Sequence, residues 1–403
     1  MSVEIRPAGA DELLSALRPV WLYFGSEPVA ERAHRVTDFL EPGRMHAAYE
    51  DGQAVGGAGA FSFDLAVPGG RVPAAGVTVV GVLPTHRRRG ILTAMMRAQL
   101  DDVRERGEPV AYLWASEGGI YGRFGYGVAS LCGEIDLLRT YGSFQAPVDG
   151  ALRGRLVDAR VALEVFPGVY ERVASVTPGM FGRSREWWGG RVLSDPEWRR
   201  VGTGQLMNAL LERDGVPEAY ALYRIKSSFD DGSSTAVVEV VEAMGATPAA
   251  EAAVWRLLLD IDWIERIQAW LLPADHPLQL LLVEPRRLRL RLGDALSVRL
   301  VDLEAALRAR SYAGDGAVVV EVADAFCPWN AGRFRVARDG VERTDAPAEL
   351  GVDVSALGSL YLGGFTWRQL ERAGRVRELA EGAVERADEL FRTDRAPWCP
   401  EIF

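Results

Sequence analysis

Residues 77–93 read VTVVGVLPTHRRRGILT, and no other stretch limits the fold so tightly. A β-branched apolar strand runs into a Pro-Thr-His turn. Three arginines and a glycine then stand where a helix must begin, with Leu92, Met95, Met96, Leu100 and Val103 at helical spacing. A helix start leaves backbone N–H groups without partners at the positive end of the helix dipole. Cations fixed beside it make a ready site for a pyrophosphate. The competing reading is a basic, solvated first turn of an ordinary helix. Met95 and Met96 read as core filling rather than ligands.

Around that stretch, residues 1–140 form one α/β unit. A strand is expected at 3–6, a helix from about Asp11, and strands at 46–50 and 54–66 joined by a hairpin at Asp51-Gly52. Pro68-Gly69-Gly70 turns the chain into the strand at 77–83. The helix after Gly90 ends at Gly107, and 109–115 is the next buried strand. Residues 140–150 read as a linker. A second α/β stretch follows, with strands near 218–225 and 235–242 and a helix over 248–269. Strands at 278–283 and 288–292 come next. From about Leu300 a helix (301–310), strands at 317–323, 332–337 and 350–354, and helices at 366–373 and 377–392 make an α+β module. The helix start near Thr247 has no arginine cluster, so the second stretch reads as a degenerate copy of the first, without a cofactor site.

At 403 residues the chain exceeds one typical core. Its net charge of −10 argues against nonspecific binding to nucleic acid or an anionic membrane and suits a cationic partner. Lys226 is the only lysine. The cysteines (Cys132, Cys327, Cys399) and the four histidines have no disulfide or metal spacing, so no metal is expected. His86, beside the arginines, reads as a solvated turn histidine. No run has the length of an apolar membrane span and the N-terminus lacks a signal-peptide core, so a cytoplasmic protein is expected.

The segment SEGGIYGRFGYG, residues 116–127, sets three aromatics and an arginine among five glycines and must turn sharply. The pattern Arg87-x-x-Gly90-x-Leu92 resembles the acyl-CoA loop of the GNAT superfamily of N-acetyltransferases, Q/R-x-x-G-x-G/A. Leu92 departs from it, standing where the pattern has a small residue. In that superfamily a Y-x-x-x-G-F/Y segment runs beneath the cofactor. The resemblance makes Tyr126 a general acid for the thiolate leaving group, a role open to a phenol. The alternative is a packing tyrosine whose hydroxyl caps a carbonyl.

VTVVGVLPTHRRRGIL, SEGGIYGRFGYG and the C-terminal DVSALGSLYLGG together resemble the enhanced intracellular survival (Eis) family of N-acetyltransferases, over essentially the whole chain. The resemblance implies tandem GNAT acetyltransferase-like domains (α/β) followed by a sterol-carrier-protein-like α+β domain. Their expected extents are 1–145 (active), 146–290 (degenerate) and 291–403. It also implies acetyl-CoA as donor, amine acceptors such as aminoglycosides or lysine side chains, several amines per acceptor, and a homohexamer. Carried across, acetyl-CoA contacts fall on Val80, Gly81 and Val82, on Arg87, Arg88, Arg89, Gly90, Ile91, Leu92 and Thr93, and on Tyr121 and Gly122. The general base falls on the α-carboxylate of the last residue, Phe403, anionic at neutral pH and able to relay a proton from an ammonium through water. A tail carrying Trp398, Ile402 and Phe403 is expected to be docked rather than frayed. Phe24, Glu27 and Glu401 are candidates for the acceptor pocket. A reading of a different class makes the chain a lipid or hydrophobe carrier, with the C-terminal module holding the ligand and the first domain vestigial.

Overall fold

Continuously buried central strands and two tight turns build the first sheet. A computed structural model of the chain describes residues 3–27, 29–148 and 150–403. In order come β1 (Glu4–Pro7), α1 (Leu13–Tyr23), α2 (Ala30–Thr37), β2 (Met45–Glu50), β3 (Gln53–Val67), β4 (Gly70–Val82), α3 (Ile91–Glu105), β5 (Val110–Trp114) and β6 (Gly127–Val128). Asp51 and Gly52 both take left-handed backbone angles, the two-residue turn that joins twisted antiparallel strands. β1 to β4 are antiparallel neighbours, and β5 joins β4 in parallel because α3 crosses over between them. Met96, Leu100 and Val103 of α3 pack on Ala75 and Val77 of β4 and on Ala111 and Leu113 of β5, so these residues are core.

Next are β7 (Leu131–Leu138), β8 (Arg153–Val157), α4 (Ala159–Ala174), α5 (Arg185–Trp187), β9 (Met207–Arg213) and β10 (Val216–Lys226). A small hairpin of β11 (Phe229–Asp230) and β12 (Ser233–Ser234) precedes β13 (Ala236–Gly245), α6 (Pro248–Leu259), β14 (Ile264–Pro273), α7 (Leu278–Leu281) and β15 (Arg291–Asp294). The last stretch holds β16 (Leu296–Leu300), α8 (Leu303–Ala309), β17 (Ala317–Ala323), β18 (Gly332–Ala337), β19 (Gly340–Arg343), β20 (Leu350–Asp353), α9 (Val354–Tyr361), α10 (Trp367–Arg372), β21 (Val376–Glu378) and α11 (Ala383–Phe391).

Two seven-stranded sheets share one topology. The first runs β1-β2-β3-β4-β5-β16-β6, and the second, read from its far edge, runs β8-β9-β10-β13-β14-β7-β15. In each, the one parallel pair (β4 with β5, β13 with β14) is spanned by a crossover helix, α3 or α6. The sixth position is exchanged: β7 completes the second sheet and β16 completes the first. The chain changes sheets at Ser130/Leu131 and again at Asp294/Ala295, beside the expected boundaries at 145/146 and 290/291. One compact unit comprises the residues up to Ser130 with Ala295–Asp394 and Ile402–Phe403, and the other comprises Leu131–Asp294 with Arg395–Glu401. The third sheet, β19-β18-β17-β20-β21, belongs to the first of these units.

Several expected elements change. The helix expected over 248–269 stops at Leu259; Trp263 takes φ 62°, and β14 follows with Ile264, Ile267, Ala269 and Leu272 buried. Apolar residues at both periods made the two indistinguishable in sequence. Of the strand expected over 278–283, Leu278–Leu281 form a helical turn after Pro277, and Leu282 is extended and bridges to Phe144. Of the expected helix 377–392 only Ala383–Phe391 is helical, because Gly382 at φ 74° starts it and Val376–Glu378 pairs with β20.

Gly127 on β6 sets how closely α9 approaches the first sheet. A Cβ there would stand 1.8 Å from the carbonyl oxygen of Ser355, a backbone atom that cannot swing aside. Gly127→Ala is expected to destabilise the protein by about 3 kcal/mol, the upper end of overpacking, read from the urea midpoint. An unshifted midpoint would contradict this packing.

Candidate active site

Opposite β4, Gly59 of β3 pairs with Thr78, and the next pair is Gly57 with Gly81. Two steps on β3 match three on β4, so β4 carries a bulge, and Val79 sits in it at φ 47°. A β-branched residue in that region costs on the order of 1–3 kcal/mol, and such strain collects at functional sites. β5 pairs with β4 only as far as Val77 with Leu113. Beyond that pair the two strands form an open fork, which is lined by Val80, Gly81 and Val82.

At the mouth of the fork, α3 begins without a side-chain cap. Gly90 is its N-cap at φ 80°, Arg88 is left-handed at φ 62°, and the first intrahelical bond runs from Ala94 N to Gly90 O. The amides of Ile91, Leu92 and Thr93 therefore have no capping oxygen, at the positive end of a fifteen-residue helix. α6, in the corresponding place of the second sheet, differs at each point. Thr247 Oγ1 accepts from Ala250 N at 3.1 Å, Pro248 occupies the first turn, and Glu251 accepts from Gly245 N at 2.6 Å. That helix start is satisfied and acidic.

A cavity of about 300 Å³ lies at the fork. It is lined by Val80, Gly81, Val82, Arg87, Arg88, Gly90, Ile91, Leu92, Thr93 and Tyr121, all singled out in the sequence. Tyr23, His86, Ser116, Glu117, Ile120 and Arg123 also line it and were not assigned to the site. Tyr23 donates its hydroxyl to Glu117, and the Arg87 guanidinium lies 4.8 Å from the Tyr23 ring centre. Arg123 carried a legible signal, since it stands in the same glycine-rich segment as Tyr121 and Tyr126. Arg89 points elsewhere: it donates to Glu50 at 3.0 Å, and His86 Nε2 meets the same carboxylate at 2.9 Å. The Arg89 hydrogen bond is the main reason that the Glu50 carboxyl is held down to about 2. Gly122 is not among the lining residues.

The glycine-rich segment turns sharply, as its composition requires. Gly125 is at φ 84°, and a Cβ on it would stand 2.1 Å from Arg299 Nη1. The close approach is thus to the protein itself. Tyr126 follows, its ring edge-on to Tyr121 at 5.8 Å. Its hydroxyl is buried and has no hydrogen-bond partner among the described residues, so it caps no carbonyl. Burial raises the Tyr126 phenol far above its usual range, against a weaker opposing effect of Arg299. Burial likewise pushes Tyr121 up to about 12. A buried, protonated hydroxyl without an acceptor is an unmet demand that a ligand atom can satisfy.

Phe403 is buried, and its terminal carboxylate accepts from Thr78 Oγ1 at 2.9 Å. Trp398 is buried as expected, whereas Ile402 is 42% exposed. The acceptor candidates are not gathered at the cavity. Phe24 is exposed, and Glu27 is paired with Arg18 at 3.0 Å. Glu401 lies in the other unit, where it accepts from Trp187 Nε1 at 2.9 Å and meets Arg183 at 3.2 Å and Arg191 at 3.5 Å. Its charge is already compensated, which removes the reason for placing it against a cationic acceptor.

Comparison with known proteins agrees with the duplicated sheet. Family models of the acetyltransferase (GNAT) domain match residues 4–129 and 179–300, and a sterol carrier protein domain matches 303–400. The chain is 46% identical over 361 residues to an uncharacterized N-acetyltransferase of Streptomyces avermitilis, covering 88% of each chain. It is 38% identical over 355 residues to N-acetyltransferase Eis of Mycobacterium bovis, covering 85% of this chain and 84% of that protein. The crystal structure of Eis1 from Mycobacterium abscessus superposes with a TM-score of 0.86 at 37% identity over the full length of both chains.

Charge at the uncapped helix start is open to direct measurement. Arg88→Glu places an anion beside the free amides and is expected to weaken coenzyme A binding at least about tenfold by calorimetry, with the thermal unfolding midpoint unchanged. Unaltered affinity would remove the loop from the site.

Proposed function

The chain belongs to the Eis family of GNAT-fold N-acetyltransferases, and on that premise we propose a direct transfer of acetyl from acetyl-CoA to amines of a cationic acceptor. In this reading Tyr126 is the general acid and the terminal carboxylate of Phe403 is the general base. Acetyl-CoA supplies an activated thioester, whose carbonyl carbon is the electrophile and whose sulfur is the leaving group.

One observation carries the proposal, which is where the two groups stand about the fork. Ala75 and Val77 of β4 share a cluster with α3 and Tyr126. Strand alternation turns Gly76 and Thr78 to the opposite face, and Phe403 is bound there. An acid on the α3 face and a base on the other suit a thioester threaded through the fork and an amine arriving from the far side.

The residues of the cleft fit such a donor. The amides of Ile91–Thr93 with Arg87 and Arg88 would hold a pyrophosphate, and the β4 edge at Val80–Val82 would align the pantetheine arm. In this reading the buried, unpartnered hydroxyl of Tyr126 gives its proton to the departing sulfur. The Phe403 carboxylate takes the ammonium proton through water. The acceptor is a polyamine of aminoglycoside type or a lysine side chain, modified at several amines, and the net charge of −10 favours its approach. The middle domain, with its capped and acidic helix start, is assigned no cofactor. The chain is assigned a homohexameric state in the cytoplasm.

Two experiments test these roles. Tyr126→Phe keeps the ring and removes the proton, so kcat should fall on the order of 10²-fold with acetyl-CoA affinity nearly intact. A kcat near that of the unaltered enzyme would return Tyr126 to packing. Adding two residues after Phe403 moves the terminal charge by about 7 Å, at roughly 3.5 Å per residue. Transfer should then be lost while coenzyme A still binds. Full activity in the extended protein would exclude the terminal carboxylate as base.

A further inference from the structure

The last residue of the chain is held by a site of its own. Gly76 pairs with Phe61 on β3 and with Tyr112 on β5, and Ala74 pairs with Phe63. Cross-strand partners share a face, so a row of aromatic side chains surrounds a position with no side chain. The Phe403 ring fills that vacancy. Its centre lies 4.9 Å from Tyr112 and 5.3 Å from Phe63, edge-on to both. A Cβ on Gly76 would stand 2.4 Å from the Phe63 ring and 3.2 Å from the Phe403 ring, so glycine is what leaves the space. Two residues along β4 on the same face, Thr78 Oγ1 donates to the terminal carboxylate at 2.9 Å. Thr78 is the last residue before the bulge at Val79.

We infer that Phe63, Gly76 and Tyr112 form a binding socket for a C-terminal phenylalanine, and that Thr78 is the positioning residue aiming its carboxylate at the fork. The inference rests on the reading that this carboxylate is the base. The ring supplies apolar anchorage and the hydroxyl supplies direction. An apolar plug alone leaves the carboxylate free to rotate, and a proton acceptor a few tenths of an ångström out of line loses catalytic efficiency. The socket thus recognises two features together, an aromatic ring and a terminal oxygen that accepts from Thr78.

The first test uses the full chain. Thr78→Val keeps the size and β-branching and removes only the donor. Expected is a fall in kcat of about tenfold or more with acetyl-CoA KM within about twofold, and recovery in Thr78→Ser, which restores the hydroxyl. Loss in both variants, or in neither, would overturn the positioning role. The second test uses the chain lacking Phe403, with N-acetyl-L-phenylalanine and its carboxamide as probes. The socket predicts saturable binding of both, on the order of millimolar, and binding of neither would overturn it. If the acid alone restores transfer, socket and base both stand. Restoration by acid and amide alike would make the ring a plug and end the role of Thr78. Binding without restoration by either would keep the socket and end the base reading. So would full activity with no added probe.

Discussion

The left-handed bulge at Val79 is the constraint on which the site depends. One extra residue in β4 reverses the alternation of its side chains. Before it, Ala75 and Val77 face α3; after it, Val80 and Val82 do. Gly81 then turns to the other face, where a Cβ would stand 3.0 Å from Val20 Cα. The strain is held in place by β3, which pairs with β4 on both sides of the bulge. Without that long partner, β4 would relax into regular pairing and close the fork against β5. The strand edge and the uncapped helix start line one cavity because the fork stays open.

The second sheet separates what the topology requires from what the site requires. It keeps the strand order, the parallel pair and the crossover helix, and takes β7 from the first half just as the first sheet takes β16 from the second. The start of α6 differs from that of α3 while the sheet is kept. Thr247 caps the helix and Glu251 brings a negative charge to the first turn. Packing depends on the buried faces of strand and helix, whereas phosphate chemistry depends on two or three residues of the loop. The loop can therefore lose its chemistry while the fold persists.

How much of this was legible follows the same division. The helix at α3, the hairpin at Asp51-Gly52, and the strands at 317–323 and 332–337 stood close to their observed limits, because alternation and turn residues are local signals. The loop residues Arg87 and Arg88 with Gly90 were visible because a basic, uncapped helix start has few other physical uses. The strand exchange was not legible, because residues 131–138 and 296–300 alternate as any buried strand does and carry no mark of which sheet they join. Arg89 was placed by the resemblance and Glu401 by its charge alone. Their partners Glu50, Arg183 and Arg191 are distant in sequence, and it is partners that decide whether a charge is available. Tyr23 was illegible for the converse reason, since lining a cavity is a property of position, whereas Arg123 stood in the marked glycine-rich segment.

On the proposed reading that the Phe403 carboxylate is the base, the packing around Thr78 bears on why a side-chain carboxylate would not serve there. On the face of β4 that bears Thr78, the neighbouring positions are Gly76 and Gly59, and close backbone contacts surround the strand. A Cβ at Gly59 would stand 2.9 Å from Val79 and 3.2 Å from Met45, so a carboxylate-bearing residue grown from β3 has no room. A chain end arrives with its own aromatic anchor and places the charge one bond from the backbone, with no flexible side chain to be ordered. Its reach is set by the covalent path of the last residues. Arg395–Glu401 belong to the second unit and Ile402–Phe403 to the first. Within the first unit, the edge-on contacts of the Phe403 ring with Phe63 and Tyr112 and the hydrogen bond from Thr78 hold the terminus, which removes the disorder usual at the end of a chain.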